Sequence, residues 1–110
     1  MFKYKGLQIS PVELEAVLVT HEKVLDAAVV GVPDPGLPGN EIPRAFIVRK
    51  PGQGQVSVED IHRLVRGQLA AHKQLRGGVQ FIDQVPRNPS GKILRRVLRD
   101  QYILRAKSKI

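Results

Sequence analysis

Cysteine and tryptophan are absent from the 110-residue sequence, and its aromatic side chains are limited to two tyrosines and three phenylalanines. Without cysteine, the chain forms neither disulfides nor thiolate metal sites. Its three histidines, His21, His62 and His72, do not have the spacing of metal ligands, so we predict no metal site. No apolar run approaches the roughly 20 residues that a membrane-spanning helix needs, and we therefore expect no membrane span.

Acidic residues are scarce in the last quarter of the chain. Residues 87–110 contain eight lysines and arginines and one acid, Asp100, whereas residues 1–86 contain ten basic and nine acidic residues. Most of the formal net charge of +8 therefore lies in this quarter, which we expect to contact any anion that the protein binds. The alternative is a solvated basic helix and tail.

Helix and strand patterns follow one another along the first half of the sequence. Ser10 and Glu13 form a capping-box pattern, and the apolar spacing that follows predicts a helix from Pro11 to Thr20. The valine- and alanine-rich residues Val24–Val32 predict a buried strand that ends in a turn. The alternating side chains of Arg44–Arg49 predict a second strand.

The second half of the sequence predicts two more helices and one strand. Ser57 and Asp60 predict a capped helix, and its core face is formed by Ile61, Leu64, Val65 and Leu69. Val79–Ile82 predict a short strand, and Asp83–Gly91, rich in turn residues, predict a loop. A last helix is predicted from Lys92, with Ile93, Leu94, Val97 and Leu98 facing inward and Arg95, Arg96 and Arg99 facing outward.

These elements predict one small α+β domain over residues 1–110, in which about three helices pack on a short central β-sheet. The most informative segment spans the end of this loop and the start of the last helix: Pro89-Ser90-Gly91-Lys92-Ile93-Leu94-Arg95-Arg96. Glycine permits a sharp turn, and the lysine after it suits developing negative charge on a phosphate or carboxylate. The segment lacks the spacing of a nucleotide-cradling P-loop. By itself, a Gly-Lys pair is a weak signal.

This segment closely resembles the C-terminal motif of the adenylate-forming superfamily, which includes acyl-CoA synthetases, 4-coumarate-CoA ligases and luciferases. The resemblance covers nearly the whole chain and is nearest to the 4-coumarate-CoA ligase and luciferase-like branch. Five motifs stand in the family's order: Lys3–Glu15, Asp26–Asp34, Ile42–Phe46, Lys73–Val79 and Pro89–Arg96.

The resemblance implies the C-terminal lid domain of an acid-CoA ligase. In that family a carboxylate attacks the α-phosphate of ATP to give an acyl-adenylate and pyrophosphate, and the thiol of coenzyme A then displaces AMP. The implied partners are a large N-terminal domain of the same chain, which would bind ATP with Mg²⁺, and a small carboxylic acid, with an aryl or medium-chain acid favoured by the branch. The lid alone is expected to be inactive.

The resemblance also implies roles for three residues in the two steps. Lys92 matches the adenylation lysine, which bridges the substrate carboxylate and the α-phosphate. In this family the small domain rotates between the two steps and offers a different face to the large domain in each. Lys3 and Gln8 match positions used at the active site, Lys3 chiefly in the orientation that forms the thioester. Without the family match, Lys3 would be interpreted as a solvated lysine on an edge strand and Gln8 as a turn residue.

Coenzyme A is expected to meet a second group of residues. Lys5 and Gly6 match positions near the pantetheine tunnel, where glycine permits close backbone approach. Arg76 has two interpretations, a contact with the phosphates of coenzyme A or a plain surface position. One departure from the family pattern is Gly39-Asn40-Glu41, where relatives usually have Gly-Glu; we expect an altered loop shape without loss of function.

Two alternatives of other classes are a basic nucleic-acid-binding module and an interaction domain that keeps the lid fold without chemistry. The first draws on the basic last quarter, but few aromatic side chains are present for base stacking and no nucleic-acid-binding motif is visible.

The last three residues generate a prediction about location. Ser108-Lys109-Ile110 resembles the C-terminal Ser-Lys-Leu peroxisomal address, so we expect peroxisomal location through an import receptor, and cytoplasmic location otherwise. A fluorescent protein fused in front of the chain should be punctate in cells and become diffuse when residues 108–110 are deleted. An unchanged distribution would remove this expectation.

Overall fold

The order of elements places a hairpin before the sheet and a long helix after it. The computed structural model describes residues 1–52 and 56–108. Its elements are β1 (Phe2–Tyr4), β2 (Leu7–Ile9), α1 (Pro11–Leu18), β3 (Val24–Pro33), β4 (Glu41–Arg49), α2 (Val58–Gln68), a 3₁₀ turn (Ala71–Lys73), β5 (Val79–Phe81) and α3 (Arg95–Ser108). The predicted α+β class is confirmed.

The central sheet has the strand order β3-β4-β5. β3 pairs with β4 in antiparallel register, for example Val29 opposite Ala45, and β4 pairs with β5 in parallel register, with Ala45 opposite Val79. Parallel neighbours need a crossover connection, and α2 lies within the one that joins β4 to β5. β1 and β2 form a separate two-stranded antiparallel sheet.

Strand β3 is buried on both of its faces. The four consecutive residues Ala27, Ala28, Val29 and Val30 are each at most 2% exposed. Successive side chains of a strand point to opposite faces of the sheet, so both faces are covered. Both α1 and α3 contact β3, and Leu14 and Leu18 of α1 are fully buried. Full burial of such a leucine contributes about 1.5–3 kcal/mol.

Two of the three predicted helix starts are confirmed, with one difference at α1. Ser57 Oγ accepts from the Asp60 N–H at 3.1 Å, and the Asp60 carboxylate accepts from the Ser57 N–H at 3.0 Å, which completes a capping box and lowers the pKa of Asp60. Ser10 Oγ accepts from the Glu13 N–H at 3.3 Å. The Glu13 carboxylate instead lies 2.7 Å from Lys73 Nζ, and so forms an ion pair with the 3₁₀ turn.

The prediction for the last helix was wrong in its first residue, in two of its inward-facing apolar side chains and in one of its outward-facing arginines. α3 begins at Arg95 rather than Lys92, because Ile93 pairs with Arg87 in a β-bridge and the Leu94 N–H donates to Pro86 O at 2.9 Å. Leu98 is buried as expected, but Leu94 and Val97 are 36% and 39% exposed. Arg95, expected to face outward, points to the sheet; its ion pair is described below.

The hairpin of β1 and β2 was not predicted. Its turn residues, Lys5 and Gly6, have φ of 51° and 78°, the type I′ pattern of two-residue hairpins. Lysine rarely adopts a positive φ, and each strand has only three residues, so neither turn chemistry nor alternation gave a signal.

No helix in the described ranges is both long and apolar enough to cross a membrane. Residues 109 and 110 of the predicted peroxisomal address lie outside the described residues, and that address stays a prediction.

Candidate functional site

The loop before α3 is organised around the side chain of Asn88. Asn88 Oδ1 accepts from the Ser90 N–H at 3.1 Å, the Ser90 hydroxyl at 2.7 Å and the Lys92 N–H at 2.9 Å. The Asn88 N–H donates to Lys92 O at 3.0 Å, and Gly91, at φ 89°, donates to Asn88 O at 2.9 Å. These bonds define the backbone at Lys92, whose side chain is exposed.

Arg87 attaches this loop to the start of β3. One terminal guanidinium nitrogen donates to Gly91 O at 2.8 Å. The other contacts both carboxylate oxygens of Asp26, at 2.9 and 3.0 Å. The segment that leads into Lys92 is thus held to the central sheet by a charge-assisted contact.

Arg95 attaches the other side of the loop through a network that joins three elements. Its Nη2 lies 2.6 Å from Glu15 Oε1, and its Nε lies 3.2 Å from both Glu15 Oε2 and Val29 O. Glu15 Oε2 also accepts from the Val29 N–H at 2.8 Å. The Glu15 side chain is only 12% exposed, so α1, β3 and α3 meet at a largely buried ion pair in which both carboxylate oxygens accept hydrogen bonds.

Lys3 and Gln8 lie directly opposite each other on β1 and β2. Both side chains are exposed, whereas Phe2, Tyr4 and Ile9 on the other face of the hairpin are buried. Opposite residues of an antiparallel pair have Cβ atoms about 4.5–5.5 Å apart, so a lysine ammonium and an amide are presented side by side. Without the family match, Lys3 was expected on a strand and Gln8 in a turn. Lys3 does lie on a strand, but Gln8 lies on a strand as well and not in a turn.

The hairpin packs on the far end of β3 and on the segment around Arg76. The Phe2 ring lies against Gly31, where an added Cβ would come within 2.7 Å of Phe2 Cγ. The Arg76 guanidinium lies 4.8 Å from the centroid of the Tyr4 ring, and Lys5 Nζ lies 5.4 Å from it. These cation–π contacts bring together Lys5 and Arg76. The resemblance implied a contact with coenzyme A for both residues, with a plain surface position as the alternative for Arg76.

Arg44 fixes the backbone that follows Arg76. Its guanidinium donates to Gly77 O and Gln80 Oε1, both at 2.8 Å, and burial lowers its pKa. An added Cβ at Gly77 would lie 2.8 Å from Pro43 O, so only glycine fits this close backbone approach.

The candidate residues therefore form two groups. Lys3, Lys5, Gly6, Gln8 and Arg76 share the hairpin side, whereas Lys92 lies on the separate loop. The anchors of the two groups, Gly31 and Asp26, are five residues apart on β3, which corresponds to about 17 Å.

A family model described as the AMP-binding enzyme C-terminal domain matches residues 13–92. The chain belongs to this family. It is 59% identical over 101 residues to a candidate acyl-coenzyme A synthetase of Emericella nidulans, covering 92% of this chain and 18% of that protein. It is 46% identical to 4-coumarate–CoA ligase-like 9 of Oryza sativa subsp. japonica, covering 97% of this chain and 19% of the other.

Solved structures agree with this assignment. The anthranilate CoA ligase AuaEII, in complex with anthranoyl-AMP, has 35% identity and a TM-score of 0.81, covering 92% of this chain and 19% of that one. The AMP-binding C-terminal domain thus spans less than a fifth of the length of these relatives. The comparisons confirm the resemblance drawn from the five motifs.

Sequence reasoning missed the residues that hold the candidate side chains in place. Asn88 had a usable signal, since Asn-Pro-Ser-Gly is typical of turns in which an asparagine side chain bonds the backbone. Glu15 and Asp26 had none, because their partners Arg95 and Arg87 are 80 and 61 residues away. Among the described residues, no group of three or more metal-ligating side chains comes together.

Glu15→Ala should lower the free energy of unfolding by about 2–3 kcal/mol, because it leaves the Arg95 guanidinium and the Val29 N–H without their shared acceptor. Urea unfolding of the AMP-binding C-terminal domain, followed by circular dichroism, measures this. The matched control is Glu22→Ala at an exposed position, which should change stability by no more than about 0.5 kcal/mol. Equal effects of the two substitutions would contradict the role given to the network.

Proposed function

We propose that this chain is the mobile C-terminal domain of an ATP-dependent acid-CoA ligase. The full-length enzyme would convert a carboxylic acid and ATP to an acyl-adenylate and pyrophosphate, and then form the coenzyme A thioester with release of AMP. The main support for the proposal is that one domain of this family holds Lys92 on one loop and the hairpin group, which consists of Lys3, Lys5, Gly6, Gln8 and Arg76, on a separate surface. Two anchored surfaces suit an enzyme that presents a different face of its lid in each step.

The larger part of the active site would come from the N-terminal domain of the same protein. That domain would bind ATP with its Mg²⁺ ion and the carboxylic acid. Support comes from the short span of this chain, 18% or 19% of the relatives named above, and from the ligase and synthetase names that they carry. The anthranoyl-AMP bound by one relative is the type of intermediate that the first step produces.

Lys92 would act in the first step. Attack of a carboxylate on the α-phosphate brings two anions together, so a positioned cation helps most where charge concentrates in the transition state. The exposed side chain can enter a neighbouring domain, while the Asn88 bonds hold its backbone in position and limit the reorganisation needed.

The hairpin group would act in the second step. Lys3 and Gln8 offer an ammonium and an amide on one exposed face, suited to the adenylate as AMP leaves. Lys5 and Gly6 would line the path of the pantetheine arm, where the turn has no bulky side chain at Gly6. Arg76, exposed beside them over Tyr4, would contact the phosphates of coenzyme A.

The nucleic-acid-binding alternative finds no support in the comparisons. Much of the positive charge on which it depends is also neutralised within the domain. Four arginines of the last quarter form ion pairs with acidic side chains: Arg87 with Asp26, Arg95 with Glu15, Arg96 with Asp100 and Arg99 with Glu41.

In the full-length protein that contains this chain, Lys92→Ala should slow pyrophosphate release about 10²–10³-fold, because the first step loses its positioned cation. Transfer of a supplied acyl-adenylate to coenzyme A should be largely spared. Single-turnover measurements of each half-reaction test this.

Lys3→Ala is the matched comparison, since it removes another exposed lysine of the same domain. It should show the opposite bias, with slow thioester formation and near-normal pyrophosphate release. Equal losses in both half-reactions for either variant would count against the division of roles.

A further inference from the structure

The hairpin turn is held by a side chain from a distant loop. Asn40 Oδ1 accepts a hydrogen bond from the Lys5 N–H at 2.7 Å, across 35 residues of sequence. The first central residue of a two-residue turn has no strand partner for its N–H, so Asn40 satisfies a donor that the hairpin itself leaves open.

The same residue of the turn carries backbone strain. Lys5 is the one non-glycine residue with positive φ among the described residues, at 51°. Side chains other than glycine, asparagine and aspartate are disfavoured in this left-handed region, and such a conformation persists when surrounding contacts hold it. The Asn40 bond is a contact to the strained residue's own backbone.

Asn40 is itself well placed to act as a fixed acceptor. Its N–H donates to Leu37 O and its carbonyl accepts from the Asp34 N–H, both at 3.0 Å. The next residue, Glu41, forms a 2.8 Å ion pair with Arg99 of α3. The backbone of Asn40 is thus occupied on its own loop, and only its side chain reaches the hairpin.

We infer that Asn40 is a positioning residue for the surface that meets coenzyme A. By accepting from the Lys5 N–H, it selects the left-handed Lys5-Gly6 turn, and so sets the position of both residues and the spacing of Lys3 opposite Gln8. This inference rests on the proposed function of the hairpin in the thioester step. It also gives the asparagine of Gly39-Asn40-Glu41 a defined task in this chain.

The test uses the full-length protein and the variants Asn40→Leu and Asn40→Asp. Leucine has a similar size without an acceptor, whereas aspartate keeps an acceptor oxygen at the same position. Asn40→Leu should raise the KM for coenzyme A, or slow thioester formation, by about fivefold, as expected for one neutral hydrogen bond, while pyrophosphate release stays unchanged. Asn40→Asp should remain within about twofold of the parent protein.

A second arm separates positioning from general stability. Asparagine tolerates positive φ, and Asn-Gly is the preferred type I′ pair, so Lys5→Asn should let the turn form without outside support. Asn40→Leu is then added to Lys5→Asn, and the double variant is compared with Lys5→Asn alone. The KM for coenzyme A and the rate of thioester formation should differ by less than about twofold, since the bond is no longer needed to select the turn. A fivefold effect retained in that background would overturn the inference.

Two further outcomes would also overturn it. Equal slowing of both half-reactions by Asn40→Leu would mean a merely structural role, and an unaffected coenzyme A step would mean that the bond positions nothing. Failure of the proposed function is distinguishable, because Lys3→Ala would then leave thioester formation unimpaired. If Lys3→Ala impairs that step and Asn40→Leu does not, the inference fails and the proposed function stands.

Discussion

Strand β3 fixes the positions of the other parts of the molecule. Its middle is buried on both faces, so its position is determined by packing from two sides. Three attachments follow along it: Asp26 holds Arg87, the backbone of Val29 holds Glu15 and Arg95, and Gly31 receives the Phe2 ring. The Lys92 loop, α3 and the hairpin are therefore all attached to the same strand.

This arrangement bears on how one domain could serve two chemical steps. The Lys92 loop and the hairpin are attached about 17 Å apart on the same strand, so a small shift of either segment would not replace one by the other at a single reaction centre. Rotation of the whole domain would bring first one segment and then the other to that centre. The internal hydrogen bonds of the Lys92 loop and the support of the hairpin turn by Asn40 suit such rigid-body motion, since each surface arrives already arranged.

The sequence predicted the elements whose signals are local. Caps at Ser10 and Ser57 and the apolar runs of β3 and β4 led to the correct class and order of helices and strands. The hairpin was not predicted because its turn places Lys5 at positive φ, a conformation supported by a contact from Asn40, which lies outside the segment. The start of α3 was misplaced because residues 92–94 bond to the preceding loop, a tertiary contact that helix periodicity does not contain.

The candidate site was predictable only in part, for a related reason. Lys92 and the hairpin residues were found through motifs that resemble those of a family, and the structure adds where they lie. The residues that hold them, such as Glu15 and Asp26, bond to arginines more than 60 residues away. Pairing between charged groups so distant in sequence leaves no periodic or local pattern.

In the proposed function, Lys92 and the hairpin face the same reaction centre in turn. Two crystal structures of the full-length protein would test it most directly, one with ATP and an unreactive acid analogue, the other with an acyl-adenylate analogue and coenzyme A. In the first structure we expect Lys92 Nζ within hydrogen-bonding distance of the α-phosphate. In the second we expect Lys3 and Gln8 at the adenylate, with Lys92 in solvent. The same face of the domain at the reaction centre in both structures would contradict it.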